Sequence, residues 1–153
     1  MSERIASITM DESSVKRRSP EAEHERTVAM ADLLHENQFE ATCLKCGPYD
    51  VRLSIEEGRL AFDIKAVENE KTARLALSLQ PLRGIIRDYF MICESYYEAL
   101  KTNPSKIEAI DMGRRGVHNE GSEVLQSMLK GRITIDFPTA RRLFTLICVL
   151  HIK

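Results

Sequence analysis

Three short runs between residues 51 and 79 set the tightest limit on how this chain folds. Val51, Leu53 and Ile55 alternate with Arg52, Ser54 and Glu56. Leu60, Phe62 and Ile64 alternate with Ala61, Asp63 and Lys65, and Leu75, Leu77 and Leu79 with Arg74, Ala76 and Ser78. Successive side chains of a strand point to opposite faces, so this period of two gathers the apolar residues on one side. Turn-forming Glu57-Gly58 and Glu68-Asn69-Glu70 separate the runs. The pattern predicts an antiparallel meander over about residues 49–79 with one buried and one wetter face. Weaker alternation at 4–11 and a short run at 132–136 predict two further strands, giving three to five in all.

The remaining apolar residues follow a helical period. Ser19-Pro20-Glu21 offers a cap, a first-position proline and an early acid, and Met30, Leu33 and Leu34 continue the helix to about Asn37. Pro81 opens a long helix whose stripe runs through Leu82, Ile85, Ile86, Tyr89, Phe90, Cys93, Tyr96, Tyr97 and Leu100 until Asn103-Pro104 stops it. Ser105 starts a short helix with Ile107 and Ile110. Three glycines in 111–123 are read as a break, after which Val124, Leu125, Met128 and Leu129 resume the period up to Gly131. Asp136-Phe137-Pro138 starts a last helix that is apolar on nearly all sides from Leu143 to Leu150. Such a helix is enclosed by the core or buried against another chain, so a homodimer is expected. The fold class is α+β, with about four helices on one face of the meander. At 153 residues a single domain spanning 1–153 is expected, with 12–18 an exposed loop.

Charge narrows the partners. The chain carries 22 Lys+Arg against 23 Asp+Glu, a net charge of −1 that does not suit broad nucleic-acid binding. The balance is uneven, with six basic and nine acidic residues in 1–48 but eight and five in 105–153. An anion site therefore belongs in the last third. Lys16-Arg17-Arg18 and Arg141-Arg142 lack the interleaved aromatics of nucleic-acid modules and read as solvated charge. The start has no apolar run after its basic residue, and the longest uncharged apolar stretch, Leu143 to Ile152, is too short to span a bilayer. No membrane association and a cytoplasmic location are expected.

The densest polar segment is Asp111-Met-Gly-Arg-Arg-Gly-Val-His-Asn-Glu-Gly-Ser-Glu123. Arg114 and Arg115 carry planar donor forks suited to phosphate or carboxylate. His118 titrates near neutrality, with Glu120, Glu123 or Glu94 as candidate partners in acid–base work. Asn119 or Ser122 is placed to cap a following helix whose free N–H groups would favour an anion. The competing reading has Arg114 and Arg115 paired with Asp111, Glu120 and Glu123, pinning a helix–helix connection. Cys43-Leu-Lys-Cys46-Gly47 has the local form of a zinc knuckle, but no second ligand pair accompanies it, so no metal and no cofactor are expected. Cys93 and Cys148 fall on apolar helical faces. Tyr96 and Tyr97 read as core residues with bonded hydroxyls. The phosphate-binding loop, esterase and zinc-protease signatures are absent.

Several strings carry a resemblance: Arg-Arg-Ser-Pro-Glu-Ala-Glu-His-Glu-Arg (17–26), Leu-Ser-Ile-Glu-Glu-Gly-Arg-Leu (53–60), Asp-Tyr-Phe-Met-Ile-Cys-Glu-Ser-Tyr-Tyr-Glu-Ala (88–99), residues 107–123, and Thr-Ala-Arg-Arg-Leu-Phe-Thr-Leu-Ile-Cys-Val-Leu-His (139–151). In these the chain resembles the uncharacterised protein family numbered 0262, which is bacterial and mainly alphaproteobacterial. The resemblance covers nearly the whole chain. It implies a bacterial cytoplasmic protein and places 111–123, but not Cys43 and Cys46, within the family pattern. It implies no particular activity, ligand or cofactor. The functional expectation is a small non-enzymatic regulatory or interaction module. The alternative is an enzyme or binding protein for a small phosphorylated or carboxylated metabolite. In that alternative Arg114, Arg115 and Asn119 hold the anion, and His118, Glu120 or Glu94 supply chemistry.

Overall fold

In a computed structural model of the chain, residues 3–12, 19–44 and 46–151 are described. The elements run β1 (Ile5–Met10), α1 (Pro20–His35), β2 (Phe39–Ala41), β3 (Tyr49–Glu56), β4 (Arg59–Ala66), β5 (Thr72–Ser78), α2 (Gln80–Thr102), α3 (Ile107–Leu129), β6 (Ile133–Ile135) and α4 (Phe137–His151). Single 3-10 turns lie at Thr42–Leu44 and Pro104–Lys106. Strands β3, β4 and β5 form the expected meander. Leu53 stands opposite Phe62, and Phe62 opposite Leu75, so the apolar residues of all three strands share one face. Glu57 and Gly58 link β3 to β4 with φ of 52° and 75°, the left-handed pair that a tight hairpin demands. On the other face Asp63 binds Arg74 and Arg52, while Arg74 also reaches Glu56. This is the wetter face that the alternation predicts.

The sheet is not a pure meander. Its order is β1-β3-β4-β5, and β1 lies parallel to β3. The reason is the crossover through α1, which returns the chain to run in the same direction as β1. The strand expected at 132–136 forms as β6 but does not join this sheet. It pairs antiparallel with β2, a three-residue strand whose brevity leaves almost no alternation to read. The fold is thus α+β, with a mixed four-stranded sheet and a separate two-stranded one.

Segment 111–123 is the largest correction. It is helical throughout, so the expected short helix, break and resumed helix are one 23-residue helix, α3. Glycine lowers helix propensity without abolishing the hydrogen bonds, and here packing outweighs the deficit. Gly113 lies against Ile92 of α2, and Gly121 is buried against the ring of Phe144. With no helix starting inside the segment, Asn119 and Ser122 cap nothing, and Ser122 Oγ instead donates to the His118 carbonyl.

Helix α4 carries the core. Leu143, Phe144, Leu146 and Ile147 are fully buried, and α1, α3 and β3 cover the helix from different sides. Its all-round apolar surface is therefore met within the chain. Ser19 caps α1 as expected, its hydroxyl accepting from the Ala22 amide. Of the loop expected at 12–18, Glu12 binds Arg26 through both carboxylate oxygens, and 13–18, including Lys16-Arg17-Arg18, lie outside the described residues. Among the described residues, no helix is long and apolar enough to cross a membrane.

Candidate functional site

An unbroken α3 places Asp111, Arg114, Arg115 and His118 on one face, at the i, i+3, i+4, i+7 spacing. That face forms one wall of a cleft of about 800 Å3. Helix α4 presents Pro138, Arg141, Arg142 and Thr145 to it at the same spacing. Helix α1 presents Glu25, Val28 and Asp32, with Glu36 just past its end, and α2 presents Tyr89, Tyr96, Tyr97 and Leu100. Four stripes at helical period thus converge on one space.

Arg114 is held from three directions. Its Nε and Nη2 donate to Asp111 Oδ1 at 3.1 and 2.6 Å, its Nη1 lies 3.6 Å from Glu25 Oε1, and its guanidinium stacks 4.5 Å above the Tyr96 ring. Burial opposes its charge, but the Asp111 carboxylate more than offsets this and holds the guanidinium protonated. In return the Arg114 hydrogen bond, ahead of the nearby positive charges, holds Asp111 below the usual carboxylate range. Glu25 is the second hub, accepting from the hydroxyls of Tyr89 (3.1 Å) and Tyr97 (3.4 Å). Burial, then the Glu25 charge, pushes the Tyr97 phenol up to about 12. Glu25 therefore joins α1 to α2 and α3. Glu25→Ala leaves two phenols without their acceptor and takes away one of the two carboxylates beside Arg114, and unfolding in urea is expected to show a loss of about 2 kcal/mol.

Arg115 also binds Asp111, at 2.9 Å, but its side chain is 71% exposed and its fork stays open to the cleft. Both arginines pair with Asp111, as the competing reading expects, but Arg114 is held between helices while Arg115 also faces open space. Arg141 has no carboxylate partner among the described residues, and Arg142 donates only to the Pro138 carbonyl, at 3.3 Å.

His118 packs edge-on to Phe144 and tilted against Tyr89, with ring centroids 5.4 and 5.3 Å away. Its Nε2 is 2.8 Å from Thr145 Oγ1, whose own proton goes to the Arg141 carbonyl at 3.2 Å. Nδ1 is buried without a partner. Burial, followed by the charges of Arg141 and Arg114, pushes the imidazole down to about 4, so it is neutral at pH 7.

The other candidates lie apart from this group. Glu94 is exposed on α2 and lines a second cavity, with Cys93 and Cys148, on the other side of Tyr89 and Tyr97. Glu120 is two residues from His118 on a helix, which turns it about 200° away by the 3.6-residue period. Asn119 and Glu123 do not line the cleft. Tyr96 is a half-buried wall of the cleft, while Tyr97, also half-buried, packs against the core with its hydroxyl bonded to Glu25. Cys43 is exposed and Cys46 half-buried, and among the described residues no three His, Cys, Asp or Glu side chains are grouped to hold a metal ion. Sequence reasoning missed Glu25, Asp32 and Glu36, and set Arg141 and Arg142 aside. The signal was the spacing 138, 141, 142, 145, which repeats that of 111, 114, 115, 118.

Fold and cleft together define an α+β protein whose four helices enclose an arginine-lined cavity. The chain belongs to the uncharacterised protein family UPF0262, whose model matches residues 2–153. It is 57% identical over 150 residues to UPF0262 proteins of Brucella canis and Brucella abortus strain S19, covering 97% of this chain and 93% of each relative. A UPF0262 protein of Brucella anthropi is 56% identical over the same coverage. No solved structure matches the chain.

Proposed function

We propose that this chain is a non-enzymatic module that binds a small phosphorylated or carboxylated compound in the four-helix cleft. The observation that carries the reading is the convergence of Arg115, Arg141 and Arg142 on one open space, with Arg141 free of any carboxylate among the described residues. Guanidinium forks suit phosphate and carboxylate oxygens, and a cavity of this size accommodates a metabolite. Arg114 acts as a positioning residue that sets the turn of α3 from which Arg115 projects. Binding without chemistry is favoured because His118 already spends Nε2 on Thr145, is a weak base, and has neither Glu94 nor Glu120 beside it. A cytoplasmic setting is proposed with this reading. A homodimer is not, since the apolar surface of α4 is covered by the chain itself.

Thermal unfolding of wild type and Arg141→Ala against inorganic phosphate and a panel of phosphorylated and carboxylated metabolites tests it. A ligand at 100 times its Kd stabilises by about 2.7 kcal/mol, or about 5–10 °C for a chain of this size. That rise is expected in wild type and not in Arg141→Ala. A panel with no effect on wild type, or an equal rise in both proteins, overturns the reading.

A further inference from the structure

The two long banks of the cleft carry opposite charge. Arg115, Arg141 and Arg142 stand on the α3 and α4 side, while Asp32 and Glu36 stand on the α1 side. Both acids are exposed, and neither forms an ion pair among the described residues. Arg114 and Glu25 pair across the cleft at 3.6 Å, but among the described residues no ion pair joins Asp32 or Glu36 to Arg115, Arg141 or Arg142, although all five line the same cavity. Val28 and Leu100, 43% and 47% exposed, line the same cleft, two of the large apolar side chains that the fold leaves in solvent. The cleft thus gathers, among the described residues, unpaired guanidinium groups on α4, exposed apolar side chains and unpaired carboxylates at the end of α1.

We propose that the occupant is zwitterionic: an anionic group on the arginines, a short hydrocarbon spacer over Val28 and Leu100, and a protonated amine on Asp32 and Glu36. Charge complementarity at both ends is what selects this class. A simple anion satisfies one bank and leaves the carboxylates facing a negatively charged ligand, which disfavours it. The proposal rests on the anion-binding reading above and adds the second charge.

The probes are two matched pairs, ethyl phosphate with O-phosphoethanolamine, and butyrate with 4-aminobutyrate. The readout is titration of intrinsic tyrosine fluorescence. The chain has no Trp, and three of its four Tyr line the cleft, so the signal reports occupancy there. Wild type is expected to bind the amine-bearing member of at least one pair about tenfold or more tightly than its partner. In an Asp32→Asn/Glu36→Gln variant, whose changes fall on exposed side chains with no ion pair among the described residues, that ratio falls to about one while the amine-free probe binds at least as tightly as before. Equal affinities within both pairs in wild type, or a ratio that survives in the variant, overturn the zwitterion proposal alone. Failure of all four probes to bind overturns the anion reading with it.

Discussion

Gly121→Val is expected to destabilise the chain by about 3 kcal/mol, while Gly116→Ala, five residues earlier on the same helix, stabilises it by about 1 kcal/mol. The two glycines differ only in what surrounds them. A Cβ on Gly121 would sit 2.8 Å from Phe144 Cε2 and closer still to Cε1 and Cζ. Phe144 is fully buried and hemmed in by Tyr89 and His118, so its ring has nowhere to withdraw. Helix α3 must therefore back away from α4. A Cβ on Gly116 meets nothing within 4 Å, and alanine there simply recovers helix propensity. Urea unfolding of the two variants checks both signs. If Gly121→Val unfolds at the wild-type midpoint, the close α3–α4 contact is wrong.

Acid is expected to weaken the fold through His118. Its imidazole is lowered from the ordinary 6.5 to about 4 in the native state, chiefly by burial. Above pH 6.5 it is neutral in both folded and unfolded chains, and its full contribution is present. Between pH 6.5 and 4 the unfolded chain takes up a proton that the folded chain resists, so stability falls as pH falls. Below pH 4 both states are protonated and this contribution declines no further. The whole window amounts to about 3 kcal/mol. The physical cause is burial: the imidazolium charge would sit out of water, with Nδ1 lacking any partner, beside Arg141 and Arg114. His118→Gln keeps a donor within reach of Thr145 but cannot titrate. Its unfolding free energy is expected to be lower at pH 7 and nearly flat down to pH 5. A wild-type profile equally flat between pH 7 and 5 would show that the imidazole is not desolvated.

The meander was legible in residues 51–79 because alternation is a local property, fixed by the pleat. The partners of β1 and β6 were not, because both pairings depend on distant segments. Nothing in Ile5–Met10 says that it will lie beside Val51, and nothing in Ile133–Ile135 says that it will meet Phe39–Ala41. The site was half legible for a related reason. Arg114, Arg115 and His118 stood out as residue types, yet reading three glycines as a break hid the fact that they share a helical face. Gly113 and Gly121 are small because α2 and α4 press against them, a tertiary cause with a local appearance of flexibility. Arg141 and Arg142 looked like ordinary surface charge, since only the placement of α4 beside α3 turns them toward a common space.

The pairing of β2 with β6 bears on how the chain is made. Gln38 donates its amide to Thr139 Oγ1 across 101 residues, and α1 packs on α4. During synthesis, the hairpin of α2 and α3 and the meander need only neighbouring sequence and can form early. Phe39, Ala29 and Leu33 must wait for residues of β6 and α4 that have not yet been translated. A ribosome stalled before residue 133 therefore carries a partly built protein whose first helix still shows its apolar side to water. Helix α1 and strand β2 are completed only by β6 and α4, some hundred residues further along.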